Sequence, residues 1–344
     1  MMWAARRLTS AATELAIVEV PTPLPGPGQA RIAVTGAGLC GTDLHILHGD
    51  YSSRPPVTLG HEIAGIVDAV GEGVDRGWLG ALVAPETAFS TCGLCRWCRT
   101  GRPMLCADRL SLGSGVDGGF AAHVVVPARL LHRLPDWLDD HAAALMEPLA
   151  CVCNALLDPG VVQAGDSVLV SGAGPVGILA AQVAQACGGV VTLTGTDADS
   201  ERLALAAGLG IEGMSVQDPV SRDVLGARGA AREIDVVIEC AGVDAAVRSG
   251  LEWVRPGGRY VQVGLLSGLV AIPFGLVVTR EIDVRATFGS SPAAWMRATD
   301  LVAQRAVQLL PLVSAVLPIA GWREAIERLE TRRGLKTVLD PRLA

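Results

Sequence analysis

Several things are scarce in this chain of 344 residues, and each scarcity narrows what it can be. Aromatic residues make up only 4% and charged residues only 18%, while 50% are hydrophobic and 41 are glycine, so the composition is that of a globular chain rich in tight turns. There is no excess of basic residues. A net charge of -7 and an isoelectric point near 5.4 exclude a broad electrostatic footprint for nucleic acid, which needs clustered Lys and Arg. No unbroken apolar span is present either. The uncharged stretches 167–196 and 260–279 are interrupted by Gly and Pro and contain Gln182, Gln185 and Gln262, which suits buried parallel strands better than a membrane. MMWAARRLTS leads into TELAIVEV instead of an apolar leader core, so no signal peptide is expected. With nine cysteines, an odd number, reduced cytoplasmic thiols and metal ligation are favoured over a disulfide framework. Small molecules are the expected partners.

Histidine is absent after position 141. All six lie at 45, 48, 61, 123, 132 and 141, which places metal and proton-transfer chemistry in the N-terminal part. There, the stretch 36–62 supplies Cys40, His61 and Glu62: a thiolate, an imidazole and a carboxylate. Three protein ligands leave one position of a tetrahedral zinc open to water or substrate, which is the arrangement of a catalytic ion. A second cluster, CGLCRWCRTGRPMLC, places Cys92, Cys95, Cys98 and Cys106 so that four thiolates can close a structural zinc. An iron–sulfur cluster is the alternative for the same four residues. Cys151, Cys153, Cys187 and Cys240 read as small buried residues.

The texture changes near residue 154. Before it, IAVTG, EIAGIVDAVGEGV and ALVAPETAF read as strands of a β-rich domain, and a helical segment is expected from Trp137 to Leu157. After it, VLVSG, VVTLT, DVVIEC, RYVQVG and VRATFG alternate with Ala- and Leu-rich helices, the pattern of a doubly wound parallel sheet. The expected fold is α/β, with one domain over 1–153 and 292–344 carrying the cysteine lobe 92–106, and a dinucleotide-binding domain over 154–291.

VLVSGAGPVGILAAQVAQACGG holds Gly172, Gly174 and Gly177 as GxGxxG between a strand and a helix, with Pro175 and Val176 opening the helix. Glycines there permit a tight turn and close approach of the backbone to a pyrophosphate at the helix N-terminus. Where an acid that binds the ribose is expected stands Gly195 or Thr196, with Asp197 just beyond, about 20 residues past the last motif glycine. That favours NAD. A small residue with Arg202 nearby also accommodates the 2′-phosphate of NADP, so both cofactors stay open.

Taken in order, GLCGTDLH, LGHEIAGIV, the four-cysteine lobe, MEPLA, GAGPVGILAAQVA and VGLL resemble the zinc-dependent medium-chain alcohol dehydrogenases, most closely their polyol and threonine dehydrogenase branches, over nearly the full length. The resemblance implies a GroES-like catalytic domain, to which the C-terminal tail returns, beside a Rossmann coenzyme domain. It implies two zinc ions per chain: a catalytic ion at Cys40, His61, Glu62 and Glu147 (the acid of MEPLA), and a structural ion at the four cysteines. Either Glu62 or Glu147 would bind directly, the other through water. Thr42 would take the substrate proton, His45 would pass it on, Asp43 would orient His61, and the hydride would leave for the nicotinamide. His48, His123, His132 and His141 would be structural. A polyol or sugar alcohol is the implied substrate, with L-threonine or another amino alcohol as the near alternative. A homodimer or homotetramer is implied, and VGLLSGLVAI is strand-like enough to take part. Two other classes compete: a non-catalytic dinucleotide-binding protein on the same fold, and a zinc-free quinone or enoyl reductase. Both are opposed by the joint presence of Cys40, Thr42, His61, Glu62 and Glu147.

Overall fold

The strand Gln29–Gly38 organises the first of two units. Its residues Ala30, Ile32 and Val34 alternate inward, the two-residue period of a pleated strand with one face on a core. In the computed structural model, which describes residues 1–158, 160–266 and 268–343, this strand is paired on both sides. Glu62–Val70 runs antiparallel to it with Gly38 opposite Glu62, and the C-terminal strand Lys336–Leu339 runs antiparallel to it with Val338 opposite Gly38. These pairings belong to a seven-stranded sheet, beside which Ala16–Val20, Met2–Arg7 and Val57–Thr58 form a three-stranded one. The apolar faces enclose a core that includes Ile32, Leu39, Ile46, Ile63, Phe120 and Trp322.

The first unit comprises 1–147, 290–303 and 308–344; the second comprises 148–289 and 304–307. In the second unit every strand pairing among the described residues is parallel. The strands run across the sheet in the order Glu212–Ser215, Val190–Gly195, Ser167–Ser171, Ile234–Glu239, Val254–Gln262, Asp283–Ala286. Chain order reverses between the third and fourth of these, and the outer ends of strands at such a switch point are where nucleotides bind in open α/β sheets.

The α/β fold class expected from the sequence is therefore present, with four local differences. The division falls at 147/148 and 289/290 instead of 153/154 and 291/292, and 304–307 joins the second unit. The helix Met146–Leu156 crosses the first division unbroken, because Pro148 lies in its first turn, where a missing N–H costs nothing. Residues 137–141 are not helical. The Asp139 carboxylate accepts the N–H groups of His141 and Ala142 at 2.9 and 3.0 Å, which caps the turn and delays the helix. VGLLSGLVAI forms no strand among its described residues, and Ser267 lies outside them. The N–H groups of Val263 and Gly264 both turn back onto the Glu239 carbonyl, which ends the ladder at Gln262. Of the four leftover cysteines, Cys153 is fully buried, while Cys151, Cys187 and Cys240 are half-buried.

The tail that resemblance assigned to the first unit is fixed there by charge. Asp340 accepts His141 Nε2 at 2.8 Å and is forked by the Arg342 guanidinium. Burial alone would raise the Asp340 carboxyl, but the hydrogen bonds from Arg342 and His141 hold it below the usual aspartate range.

Candidate metal and dinucleotide sites

The candidate metal ligands are placed by two strands and one short helix. Gly60, at φ +90°, turns the chain so that His61 immediately precedes the strand Glu62–Val70 and Glu62 opens it. Across the ladder, a Cβ on Gly38 would collide with the Glu62 carboxylate, so glycine leaves the space that this side chain fills. Two residues on, Cys40 caps the helix Gly41–His48, and Asp43 Oδ2 accepts the Cys40 N–H at 2.9 Å. One ligand atom each from Cys40, His61 and Glu62 lie within 4.8 Å of one another.

The donor set fits a zinc ion. Asp43 is fully buried, and its Oδ1 has no hydrogen-bond partner, yet it faces His61 Nδ1 at 3.6 Å. A metal-bound imidazole carries its proton on the nitrogen away from the ion and donates it to a carboxylate in this position. Asp43 is thus poised for the orienting role. Burial opposes a charged His61, but the negative charges of Asp43 and Cys40 close to it raise its pKa well above the ordinary value.

Thr42 Oγ1 lies 3.7 Å from Cys40 Sγ. Three residues along the same helix, His45 is about one-third exposed, with Nδ1 3.6 Å from Asp50. Glu147 is not a member of the three-ligand group; it sits buried in the first turn of the helix Met146–Leu156, and its charge acts on Lys336. The remaining histidines have other partners: Glu330 for His48, Asp68 for His123, Glu86 and the stacked Trp295 ring for His132, and Asp340 for His141.

Lys336 was not foreseen. Its Nζ lies 2.7 and 2.6 Å from the two Glu62 oxygens and 3.1 Å from the Leu39 carbonyl, in a side chain 5% exposed. A signal was available, because the 28 Lys and Arg residues include a single lysine, set inside the apolar run LKTVL.

In the cysteine lobe, Sγ–Sγ separations are 3.5 Å for Cys95–Cys98, 3.6 Å for Cys92–Cys106 and 3.9 Å for Cys92–Cys98. Four thiolates at about 2.3 Å from one tetrahedral zinc stand about 3.8 Å apart. An iron–sulfur cluster would interpose several atoms and needs wider spacing, so a single ion is the better fit. Hydrogen bonds from the backbone N–H groups of Cys95 and Leu94 lower the Cys92 thiol to about 6, toward the thiolate that a metal requires.

The glycine motif sits at the switch point of the parallel sheet. Gly172 follows the strand Ser167–Ser171 at φ +104°, a backbone conformation that favours glycine. A Cβ on Gly177 would collide with the Gly172 carbonyl, whereas one on Gly174 would meet nothing within 4 Å. Gly174 therefore leaves open space at the N-cap of the 12-residue helix Pro175–Ala186, where Val176 lies in the first turn; that is the cradle a pyrophosphate needs. Beyond Val190–Gly195, Asp197 is exposed and bonded to Ser215 Oγ at 2.5 Å. Arg202 is paired with the buried Asp199 at 3.2 Å. The sequence did not mark out Glu239. Its Oε1 accepts the N–H groups of Ala241 and Gly242, both at 2.8 Å, and Gln262 donates to its other oxygen, so one buried acid ties the loops after two adjacent strands.

Comparison with known proteins agrees with both halves. Residues 26–136 match the alcohol dehydrogenase GroES-like domain, and residues 175–304 match the zinc-binding dehydrogenase family. A sorbitol dehydrogenase of Halalkalibacterium halodurans is 37% identical over 328 residues, covering 95% of each chain. An L-threonine 3-dehydrogenase of Saccharopolyspora erythraea is 33% identical over 337 residues, covering 96% of this chain and 97% of the relative. Among solved structures, a zinc-binding dehydrogenase from Sinorhizobium meliloti bound to NADP superposes with a TM-score of 0.90 at 33% identity, covering 99% of each chain.

Proposed function

Because this chain belongs to the zinc-dependent medium-chain alcohol dehydrogenases, we propose that it oxidises a secondary hydroxyl of a polyol or sugar alcohol with NAD. Cys40, His61 and Glu62 hold the catalytic zinc in this reading, with Glu147 beside them, and Cys92, Cys95, Cys98 and Cys106 hold the structural one. The grouping of Cys40, His61 and Glu62 within 4.8 Å, with Asp43 behind His61, is the observation that carries it. Neither a dinucleotide-binding scaffold nor a zinc-free reductase needs that open donor set.

When bound, zinc supplies Lewis-acid polarisation of the substrate hydroxyl, and the nicotinamide supplies a hydride acceptor. Thr42 Oγ1 would accept the hydroxyl proton as it passes its own onward toward solvent, since a threonine hydroxyl cannot keep both. His45, one turn further and part-exposed, returns the released proton to water, with Asp50 as counter-charge. Gly172, Gly174 and Gly177 admit the pyrophosphate, and Pro175 and Val176 open the helix behind it. Asp197, exposed beyond the second strand, receives the ribose hydroxyls. The commitment of Arg202 to Asp199 supports NAD over NADP.

Sorbitol dehydrogenase as a relative supports the polyol, and threonine dehydrogenase as another keeps an amino alcohol as the second reading. A panel of sorbitol, butane-2,3-diol and L-threonine with each cofactor tests both choices. The expected result is a kcat/KM for a polyol with NAD at least about tenfold above that for L-threonine or for NADP, equivalent to ~1.4 kcal/mol. A preference for L-threonine would replace the substrate, and a preference for NADP would remove Asp197 from its role.

The protein is a homo-oligomer in this reading, through the edge strand Asp283–Ala286, whose four residues are all exposed and whose outer edge has no partner strand among the described residues. Val284, Leu265, Leu269 and Val278 add exposed apolar surface in the same unit. A twofold antiparallel pairing centred on Val284 sets Asp283 opposite Arg285 of the second copy. Light scattering should therefore show at least a dimer, and Arg285→Asp, which puts like charges opposite, should weaken association about tenfold or more. A monomeric wild type, or indifference to that substitution, would remove this edge as the interface.

A further inference from the structure

We propose that Lys336 is a positioning residue of the catalytic centre: its ammonium competes with the metal for Glu62 and so keeps that carboxylate an exchangeable ligand. This rests on the reading that Cys40, His61 and Glu62 hold zinc.

The argument begins with geometry. Both oxygens of Glu62 are already taken by one ammonium, at 2.7 and 2.6 Å, and the same ammonium is anchored by the Leu39 carbonyl at 3.1 Å. Lys336 is held in place by the strand register that also sets Gly38 opposite Glu62, so the pair is built by the sheet and does not depend on a surface rotamer. An ion at Glu62 would draw on the same two oxygens that the ammonium already polarises, so two cations compete for the charge of one carboxylate.

Charge points the same way. Cys40, Glu62 and Glu147, with Asp43 behind, gather acidic groups in one buried place, and Glu62, Cys40 and Glu147 all act on Lys336 electrostatically. A zinc ion brings two positive charges and Lys336 a third, which balances the thiolate and the two glutamates. Without Lys336 the excess negative charge would draw Glu62 onto the ion beside Glu147, and four protein ligands would leave no position for a substrate oxygen. With Lys336, Glu62 can ligate while the site waits and withdraw when an alcohol oxygen arrives.

Composition supplies a readout. Since the chain has a single lysine, protein grown with [13Cε]lysine gives one lysine Cε resonance, which reports on this position alone. The experiment compares that resonance in metal-free and zinc-loaded enzyme, and measures zinc affinity by chelator competition in wild type, Lys336→Met and Lys336→Arg. The inference expects the resonance to move on zinc loading. It also expects Lys336→Met to hold the catalytic zinc about tenfold or more tighter with a lower kcat, and Lys336→Arg to stay within a fewfold of wild type. A stationary resonance in enzyme shown to hold two zinc ions, or zinc binding in Lys336→Met that is equal to or weaker than wild type, would overturn it. Should Lys336→Met not fold without metal, the wild-type resonance and Lys336→Arg still decide. Wild type that holds zinc only at the cysteine lobe would instead sink the assignment of the catalytic site.

Discussion

Cys40→Ser should reduce kcat/KM by about three orders of magnitude or more, equivalent to roughly 4 kcal/mol of transition-state stabilisation, while leaving one zinc ion on each chain. A serine hydroxyl stays protonated where a thiol gives up its proton, so the three-ligand group loses its only sulfur donor. His61 and Glu62 remain, but Glu62 is also held by Lys336, which leaves one uncontested protein ligand in the group. The four cysteines lie in a separate loop, so their ion is retained. Metal analysis beside steady-state kinetics separates the two effects. Full activity in a variant that carries a single zinc would mean that the chemistry does not run at Cys40.

The other large effect is expected at the opposite end of the reaction. Gly177→Val should weaken NADH binding by about a hundredfold or more, close to 2.7 kcal/mol, with the zinc content unchanged at two. A Cβ at this position meets the Gly172 carbonyl, so the helix Pro175–Ala186 must move away from the turn that would hold the pyrophosphate. All proposed zinc ligands belong to the first unit and Gly177 to the second, which is why metal retention is the control. Fluorescence titration with NADH measures the loss. Unaltered affinity would show that the cofactor does not rest on this turn.

Much of this was legible before any fold was in view because local chemistry carries it. GxGxxG needs only a strand, a turn and a helix, and those arise within some twenty residues, so the turn that holds Gly172, Gly174 and Gly177 could be expected from spacing. The four cysteines are as local, and their Sγ–Sγ distances suit a single ion. Elements failed where a group outside the expected ladder took over a backbone hydrogen bond. The Asp139 carboxylate displaced the expected start of a helix, and the Glu239 carbonyl ended a strand before VGLLSGLVAI could continue it.

For the stretch that holds Cys40, His61 and Glu62, the residue types and their order were enough to propose a metal site, because thiolate, imidazole and carboxylate are metal donors in any fold. What Glu62 does there was not contained in that stretch. Its partner Lys336 lies 274 positions away, and only the sheet that sets Gly38 between Glu62–Val70 and Lys336–Leu339 brings them together. The sequence alone determined which donors were present; the tertiary structure decided how freely each can be given to a metal, because in a buried site a carboxylate's availability depends on which cation is packed against it.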